Sequence, residues 1–301
     1  MPTVLITGAS GFLGRPCLER LAGCAVHAVA RSALTVAGVQ THAVDLLDPA
    51  PVSALLNTVR PTHLLHLAWV TTPGAYWTSP ANERWLEASL HLAREFLRHG
   101  GRRLLLAGTC AEYDWTAAGV CHEQTTPLRP ATLYGRCKHA LRLEVEALAR
   151  KAGAGAAWAR LFFPYGPGER PERLVPSVAR ALLRGGLAEC SAGTQRRDFI
   201  HVADAADALV RLLHSEVEGP VNVGTGEAAA VRDVALRIAR LLGAADRVRL
   251  GVRPLPPGEP PLLIADVTRL RTELRWVPRF GLDAGLADAV AWWKEQGRAA
   301  A

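Results

Sequence analysis

Several protein classes are excluded by what the chain has little of. Its six cysteines, at Cys17, Cys24, Cys110, Cys121, Cys137 and Cys190, never fall in C-x-x-C spacing. They read as reduced thiols filling a core rather than as a disulfide framework. Cys110, Cys121 and His122 match no common zinc spacing, so no metal is expected. No stretch approaches the roughly 20 apolar residues that a membrane span needs. The first residues lack a basic segment, and their apolar run Val4–Ile6 stops at Gly8. A cytoplasmic protein without membrane contact is the expectation. Basic residues outnumber acidic ones 35 to 28, yet they are scattered, with nothing longer than pairs such as Arg102–Arg103 and Arg196–Arg197. That pattern lacks a nucleic-acid arm and suits a small anionic ligand. Only 21% of residues are charged against 49% hydrophobic, which excludes a disordered chain.

What is present is an alternation. Short apolar runs at 4–7, 26–30, 42–44, 64–68, 104–107, 157–162 and 221–223 alternate with amphipathic stretches at 12–21, 51–59, 82–97, 133–150 and 205–213. This predicts an α/β fold with a doubly wound parallel sheet covered on both faces. A length of 301 residues has a prior near two domains. From about Tyr165 the texture changes, with proline and glycine at 164–171 and 254–261 and helical patterns at 174–183, 231–242, 267–274 and 284–293. We expect a nucleotide domain over 1–164, with 198–223 returning to its sheet. A smaller, helix-rich C-terminal lobe over 165–197 and 224–301 is expected to hold the substrate.

The segment Thr7-Gly8-Ala9-Ser10-Gly11-Phe12-Leu13-Gly14 joins the first strand to the first helix. Gly8 permits a tight turn, Gly11 lets backbone approach a pyrophosphate, and Gly14 allows close helix–strand packing. Phosphates then sit against free N–H groups at the positive end of a helix. The same spacing with no ligand would be a structural turn.

Tyr134 and Lys138 stand four apart in a helical pattern, on one face. An ammonium beside a phenol favours the phenolate, moving a group of pKa near 10 toward useful values. With three lysines and four tyrosines in the chain, chance supplies only about 0.04 such pairs. Arginine is used nearly everywhere else, and its rigid fork does not replace a compact ammonium.

With a G-x-x-G-x-x-G loop and a Y-x-x-x-K pair, the chain resembles the extended short-chain dehydrogenase/reductase family, which comprises nucleotide-sugar epimerases, dehydratases and ketoreductases. The resemblance implies a Rossmann-like fold, a homodimer, and Thr109 as the third member of a catalytic set with Tyr134 and Lys138. Lys138 would also bond the nicotinamide ribose. The implied cofactor residues are Gly8, Ser10, Gly11, Phe12, Leu13, Gly14, Arg31, Ser32, Asp45, Leu46, Leu67, Ala68, Lys138 and Phe162. The second strand ends Ala30-Arg31-Ser32 without an acid. Arg31 suits the extra phosphate of NADP, while NAD stays possible. Asp45 either contacts adenine or caps the helix near Pro51.

On the substrate side, Arg197 in Arg197-Asp198-Phe199-Ile200-His201-Val202 matches the arginine that reaches a nucleotide-sugar diphosphate. It can equally pair with Asp198 or Asp204. Arg160-Leu161-Phe162-Phe163-Pro164-Tyr165-Gly166-Pro167 matches R-x-x-N-x-Y-G-P, with Phe163 in place of the asparagine. Trp85 replaces a structural asparagine. The arginine usual before Gly258-Glu259 is missing, with Arg253 near enough to substitute. Trp69, Tyr76 and Trp77 either line a sugar pocket or pack. Cys110-Ala111 replaces the Asp-Glu of 4,6-dehydratases, so dehydration is not expected. Cys110 stands one residue from the epimerising cysteine of GDP-fucose synthase-like enzymes. These matches imply an NADP(H)-dependent ketoreductase acting on a nucleotide-linked keto-sugar at C4. The alternatives are an NAD-dependent nucleotide-sugar 4-epimerase and a non-catalytic dinucleotide sensor. Substrate contacts are expected from Trp69, Cys110, Phe163, Arg197 and Arg253.

Overall fold

Seven strands form the central sheet: β1 (Thr3–Thr7), β2 (Ala25–Ala30), β3 (Val39–Ala43), β4 (His63–His66), β5 (Arg103–Thr109), β6 (Gly155–Leu161) and β7 (Gly219–Val223). They lie in the order β7-β6-β5-β4-β1-β2-β3, and every neighbouring pair is parallel. The computed structural model describes residues 1–31, 34–117, 119–255 and 258–299. Strand β5 is buried at every position, as the run Leu104-Leu105-Leu106-Ala107 requires of a strand covered on both faces. The order reverses between β1 and β4, which opens a crevice at their carboxyl ends.

The helices are α1 (Gly14–Arg20), α2 (Pro49–Val59), α3 (Ala81–Arg98), α4 (Leu133–Ala152), α5 (Leu174–Leu183), α6 (Val202–Leu213), α7 (Val231–Leu241), α8 (Thr268–Thr272) and α9 (Leu282–Ala299). Val4, Ile6, Val26, Leu65 and Leu105 face α1 and α6 in one core, with Leu18 and Leu209 opposite. Leu5, Val29, Leu64 and Leu104 form the other core with Val52, Leu92, Phe96 and Leu141 of α2, α3 and α4. A third core, Val175, Leu182, Val234, Ile238, Leu286 and Val290, belongs to α5, α7 and α9. A small mixed sheet beside it pairs Arg196–Arg197 with Leu262–Leu263 and Ala229–Ala230.

Helix α2 is capped by Asp48, whose Oδ1 accepts from Ala50 N–H at 3.2 Å, with Pro49 pre-set in the first turn. Asp45 is therefore not the cap; its Oδ1 accepts from Leu47 N–H at 3.0 Å. Helix α4 starts at Thr132, whose hydroxyl accepts from Gly135 N–H at 3.1 Å, and stops at the left-handed Gly153 (φ 65°). The strand expected at 42–44 runs over Val39–Ala43 instead. Gln40 and Thr41 give no apolar signal because β3 is the edge of the sheet. No helix among the described residues is long and apolar enough to cross a membrane. None of them form a group of three or more His, Cys, Asp or Glu placed to hold a metal.

Candidate active site

Strand β1 ends on Thr7, whose hydroxyl is 2.7 Å from Nδ1 of the buried His66; His66 Nε2 lies 2.8 Å from Ser89 Oγ. This chain of bonds fixes the end of β4 and helix α3 against the start of the glycine loop. Burial and the nearby Lys138 hold His66 down to about 3, so it is a neutral strut. Gly8 follows at φ 71°. A Cβ there would stand 2.8 Å from Ala68 N, and one on Gly14 would stand 2.2 Å from Gly8 O. The loop is thus folded tightly on itself and against the end of β4. No side chain caps the first turn of α1, which leaves that end free for an anion. These features fit a dinucleotide pyrophosphate. Gly8 and Gly14 would shape the bed, and the backbone of Gly11, Phe12 and Leu13 would face the phosphates.

The loop forms one wall of a cavity of about 480 Å³. Of the residues expected from sequence, Gly8, Ser10, Gly11, Phe12, Leu13, Gly14, Arg31, Asp45, Leu46, Leu67, Ala68, Trp69, Thr109, Cys110, Tyr134, Phe162 and Phe163 all line it. Ser32 lies outside the described residues. Tyr76 and Trp77 of the β4–α3 connection and Trp85 of α3 are also in the lining. Arg197, Arg253 and Lys138 are not in it.

Tyr134, half-buried at the start of α4, faces Thr109 at the end of β5. Burial raises the pKa of its phenol, and the neighbouring Tyr76 adds to the rise, while a hydrogen bond from the Thr109 hydroxyl opposes it. Lys138 is one turn along the same face, as its spacing requires, but it does not reach the cavity. Its ammonium donates to Ala107 O at 2.8 Å and sits 3.9 Å from the centre of the Trp69 ring. Burial, offset in part by Glu112, brings Lys138 down to about 7. The expected acidification of Tyr134 by Lys138 is thus not what this structure shows. Desolvation dominates at both groups and favours the neutral form of each.

Thr109 is held from below. Its N–H donates to Glu112 Oε1 at 2.9 Å, and its hydroxyl accepts from Ala111 N–H at 3.2 Å. Glu112, fully buried, also accepts from Trp158 Nε1 at 2.8 Å and from Arg160 Nε at 3.1 Å. Arg160 Nη1 donates to the Tyr113 hydroxyl at 3.1 Å, and that hydroxyl donates to Asn222 Oδ1 at 2.7 Å. Removing one member of a fully buried pair strands the other charge. Arg160→Met is expected to cost about 3–5 kcal/mol, read as a lower urea midpoint. A midpoint unchanged from wild type would show that the pair is dispensable.

Arg197 is buried, but its anion is neither Asp198 nor Asp204. Its Nη2 pairs with Glu259 Oε1 at 3.0 Å, and its guanidinium lies 5.5 Å from the Phe163 ring centre, just behind the cavity wall. Asp198 accepts instead from Thr225, Gly226 and Ala265 N–H groups. Asp204 accepts from Arg279 and Phe280 N–H groups. Arg253 is exposed, and its N–H donates to Cys190 O at 3.2 Å. Cys110 lines the cavity as a neutral thiol, because burial pushes its pKa up. His122, 3.4 Å from Asp266, makes a peripheral pair. Sequence reasoning missed Trp115, Glu169, Arg170 and Arg173, all in the lining. The Glu-Arg density just past Tyr165-Gly166-Pro167 was the available signal for three of them.

Crevice, loop and sheet order together define the Rossmann-like class of doubly wound proteins. The chain belongs to the NAD dependent epimerase/dehydratase family, whose sequence model matches residues 4–224; it is an extended short-chain dehydrogenase/reductase of the nucleotide-sugar type. It is 30% identical to a UDP-glucose 4-epimerase of Azospirillum brasilense, over 97% of this chain and 92% of that one. Identity to a dTDP-glucose 4,6-dehydratase of Xanthomonas campestris is 27%, over 97% and 93%. Among solved structures, the Thermus thermophilus UDP-glucose 4-epimerase in complex with NAD superposes with a TM-score of 0.88 at 28% identity, covering 97% of this chain and 99% of that one. MoeE5 in complex with UDP-glucuronic acid and NAD superposes at 0.86 with 29% identity, covering 98% and 99%.

Proposed function

We propose that the protein is an NAD-dependent 4-epimerase of a nucleoside-diphosphate sugar. The observation that carries this reading is the placement of the Tyr134 phenol and Thr109 in one cavity with the glycine bed. Relatives named as UDP-glucose 4-epimerases support it. Cys110 and Ala111, the two positions after Thr109, carry no carboxylate for eliminating water.

Bound nicotinamide supplies the hydride acceptor and donor, and its oxidised ring brings a positive charge into the cavity. In its phenolate form, which the positive charge of the bound oxidised ring would favour against burial, Tyr134 would take the proton of the reacting hydroxyl and return it when the opposite stereoisomer forms. Thr109 holds the same substrate oxygen as charge develops on it. Lys138, buried against Trp69 and held down to about 7, would place a positive charge near Tyr134 only in its protonated form. The lobe over 165–197 and 224–301, which has its own core, supplies Arg170 and Arg173 to the cavity wall and would cover the sugar.

The expectation of net reduction by NADPH has weaker support, because the solved relatives named above carry NAD. One observation still favours it. Arg31 is exposed in the cavity lining, where its guanidinium can meet a 2′-phosphate. Arg31→Asp is expected to shift the ratio of NADP to NAD affinity at least tenfold toward NAD; an unchanged ratio removes Arg31 from the cofactor site.

Glu259 holds the guanidinium that would otherwise meet a diphosphate, and it also accepts from Gln195 Nε2 at 3.2 Å. Glu259→Ala is therefore expected to tighten UDP binding by about 1 kcal/mol, measured by titration calorimetry. Weaker binding would mean that Glu259 orients Arg197 instead of competing for it. The activity itself is tested by following a panel of nucleoside-diphosphate hexoses by proton NMR in the presence of NAD.

A further inference from the structure

Tyr76 stands beside Tyr134 with no part in the chemistry described so far. It is nearly buried at 9% exposure and lines the cavity. Its ring meets Tyr134 edge-on, with centres 5.0 Å apart and planes at 88°. The connection that carries it is pinned from behind: buried Asn82 donates to Tyr76 O at 2.7 Å and accepts from Trp69 Nε1 at 2.8 Å. Trp77 lies against Tyr76 with ring centres 4.3 Å apart and planes tilted by 31°, and its carbonyl accepts from Tyr134 N–H at 3.1 Å.

The phenol end of Tyr76 is held from a different part of the chain. Arg173, which immediately precedes α5, lines the same cavity, and its guanidinium is near enough to lower the Tyr76 phenol against the rise that burial causes. Glu169 pairs with Arg173 at 3.5 Å. Glu169 is 6% exposed, and its Oε2 has no hydrogen-bond partner. A buried carboxylate with an idle oxygen is costly in a site that needs only packing. Its other oxygen, Oε1, is the one that pairs with Arg173, and the Arg173 charge in turn acts on the Tyr76 phenol. A line of contacts therefore runs from the segment after Tyr165, through the β4–α3 connection, to the first turn of α4.

We propose that Tyr76 is a positioning residue for Tyr134, and that the Glu169–Arg173 pair is what orients it. The need for such a residue follows from the shape of the pocket. A tyrosine ring turns broadly about its second side-chain torsion, and Tyr134 lies in a roomy aromatic cleft, with Trp69 at 6.5 Å and Trp77 at 5.8 Å between ring centres. Of these three rings Tyr76 comes nearest and most nearly perpendicular, and an edge-to-face contact fixes ring orientation as well as distance. Segments carrying Glu169 and Arg173 thereby gain a hold on the phenol that moves the proton. The inference rests on Tyr134 being that group.

With four tyrosines in the chain, protein labelled with fluorotyrosine shows four fluorine NMR resonances, each assigned by its Tyr→Phe variant. Arg173→Gln is expected to move the Tyr76 and Tyr134 resonances together and to leave Tyr113 in place. Arg173→Lys should restore both in part. Glu169→Gln, which keeps side-chain shape, is the second variant, and a smaller joint shift is expected of it. In the enzyme assay, Arg173→Gln and Glu169→Gln should lower kcat by up to about tenfold with little change in KM. A Tyr134 resonance that stays put while Tyr76 moves, in both variants, overturns the proposal. So does a change in KM alone, which would make Arg173 a substrate ligand. The fluorine measurement needs no substrate, so it is decided separately from the epimerase assignment, whose failure would appear as full turnover in Tyr134→Phe.

Discussion

Tyr134→Phe is expected to lower kcat by about 10³-fold, within the range that general acid–base groups supply, while NAD affinity stays within a few-fold of wild type. The substitution removes one oxygen and keeps the ring, so the edge contact with Tyr76 and the packing against Trp77 persist. No cradle residue is touched. What disappears is the phenol oxygen, which shares the cavity wall with Thr109. Stability should change little, since a phenol paired with one neutral hydroxyl contributes about 1 kcal/mol net. Stopped-flow mixing with a nucleotide sugar would separate the effect on chemistry from that on binding. Near-normal turnover in this variant would remove Tyr134 from the reaction.

The second large effect concerns Lys138. In the folded chain its pKa is about 7 because it is buried, whereas an exposed lysine titrates near 10.4. Between those values the unfolded chain binds a proton that the folded chain does not, so this residue makes stability rise with pH across that window. Its cost is greatest below pH 7 and fades toward pH 10. Lys138→Met is therefore expected to stabilise the protein at neutral pH and below, by on the order of 2 kcal/mol. That figure nets the relieved burial of a cation against the donor lost by the Ala107 carbonyl. The gain should shrink as pH rises, and it should come with loss of turnover. Chemical denaturation of wild type and variant at several pH values checks both the sign and the slope. A variant less stable than wild type at pH 6 would show that Trp69 and Ala107 more than offset the cost of burying the ammonium.

Much of this architecture was readable in advance, and for identifiable reasons. The glycine loop, Thr109 and Tyr134 sit where a strand end, a turn and a helix start must place them. Backbone geometry and residue spacing determine such positions directly. Helix α5 came out at its expected limits because Leu174–Leu183 is amphipathic throughout. Helix α6 starts three residues earlier than its apolar pattern, at Val202, since His201 caps it through Ala203 N–H at 3.3 Å. Side-chain partners across the fold were less accessible. Spacing put Lys138 on the face of Tyr134, but nothing in a one-dimensional pattern says that an indole from the β4–α3 connection will cover it. Arg197 was expected to reach a diphosphate or else to pair with Asp198 or Asp204, and it meets Glu259, 62 residues on, while Asp198 is taken up by N–H groups from two other segments. Glu169 and Arg173 gave only a local charge signal. Their meaning depends on Tyr76, which a different part of the chain delivers.

Cofactor recycling separates the account from its rival most directly. Purified protein, NAD and each member of the nucleoside-diphosphate hexose panel would be incubated and followed together by proton NMR and by reduced-nicotinamide absorbance. The account predicts that at least one sugar reaches a mixture of its two C4 epimers with no net change in reduced nicotinamide. Stoichiometric consumption of NADPH with 4-keto sugars, and no interconversion at C4, would contradict it.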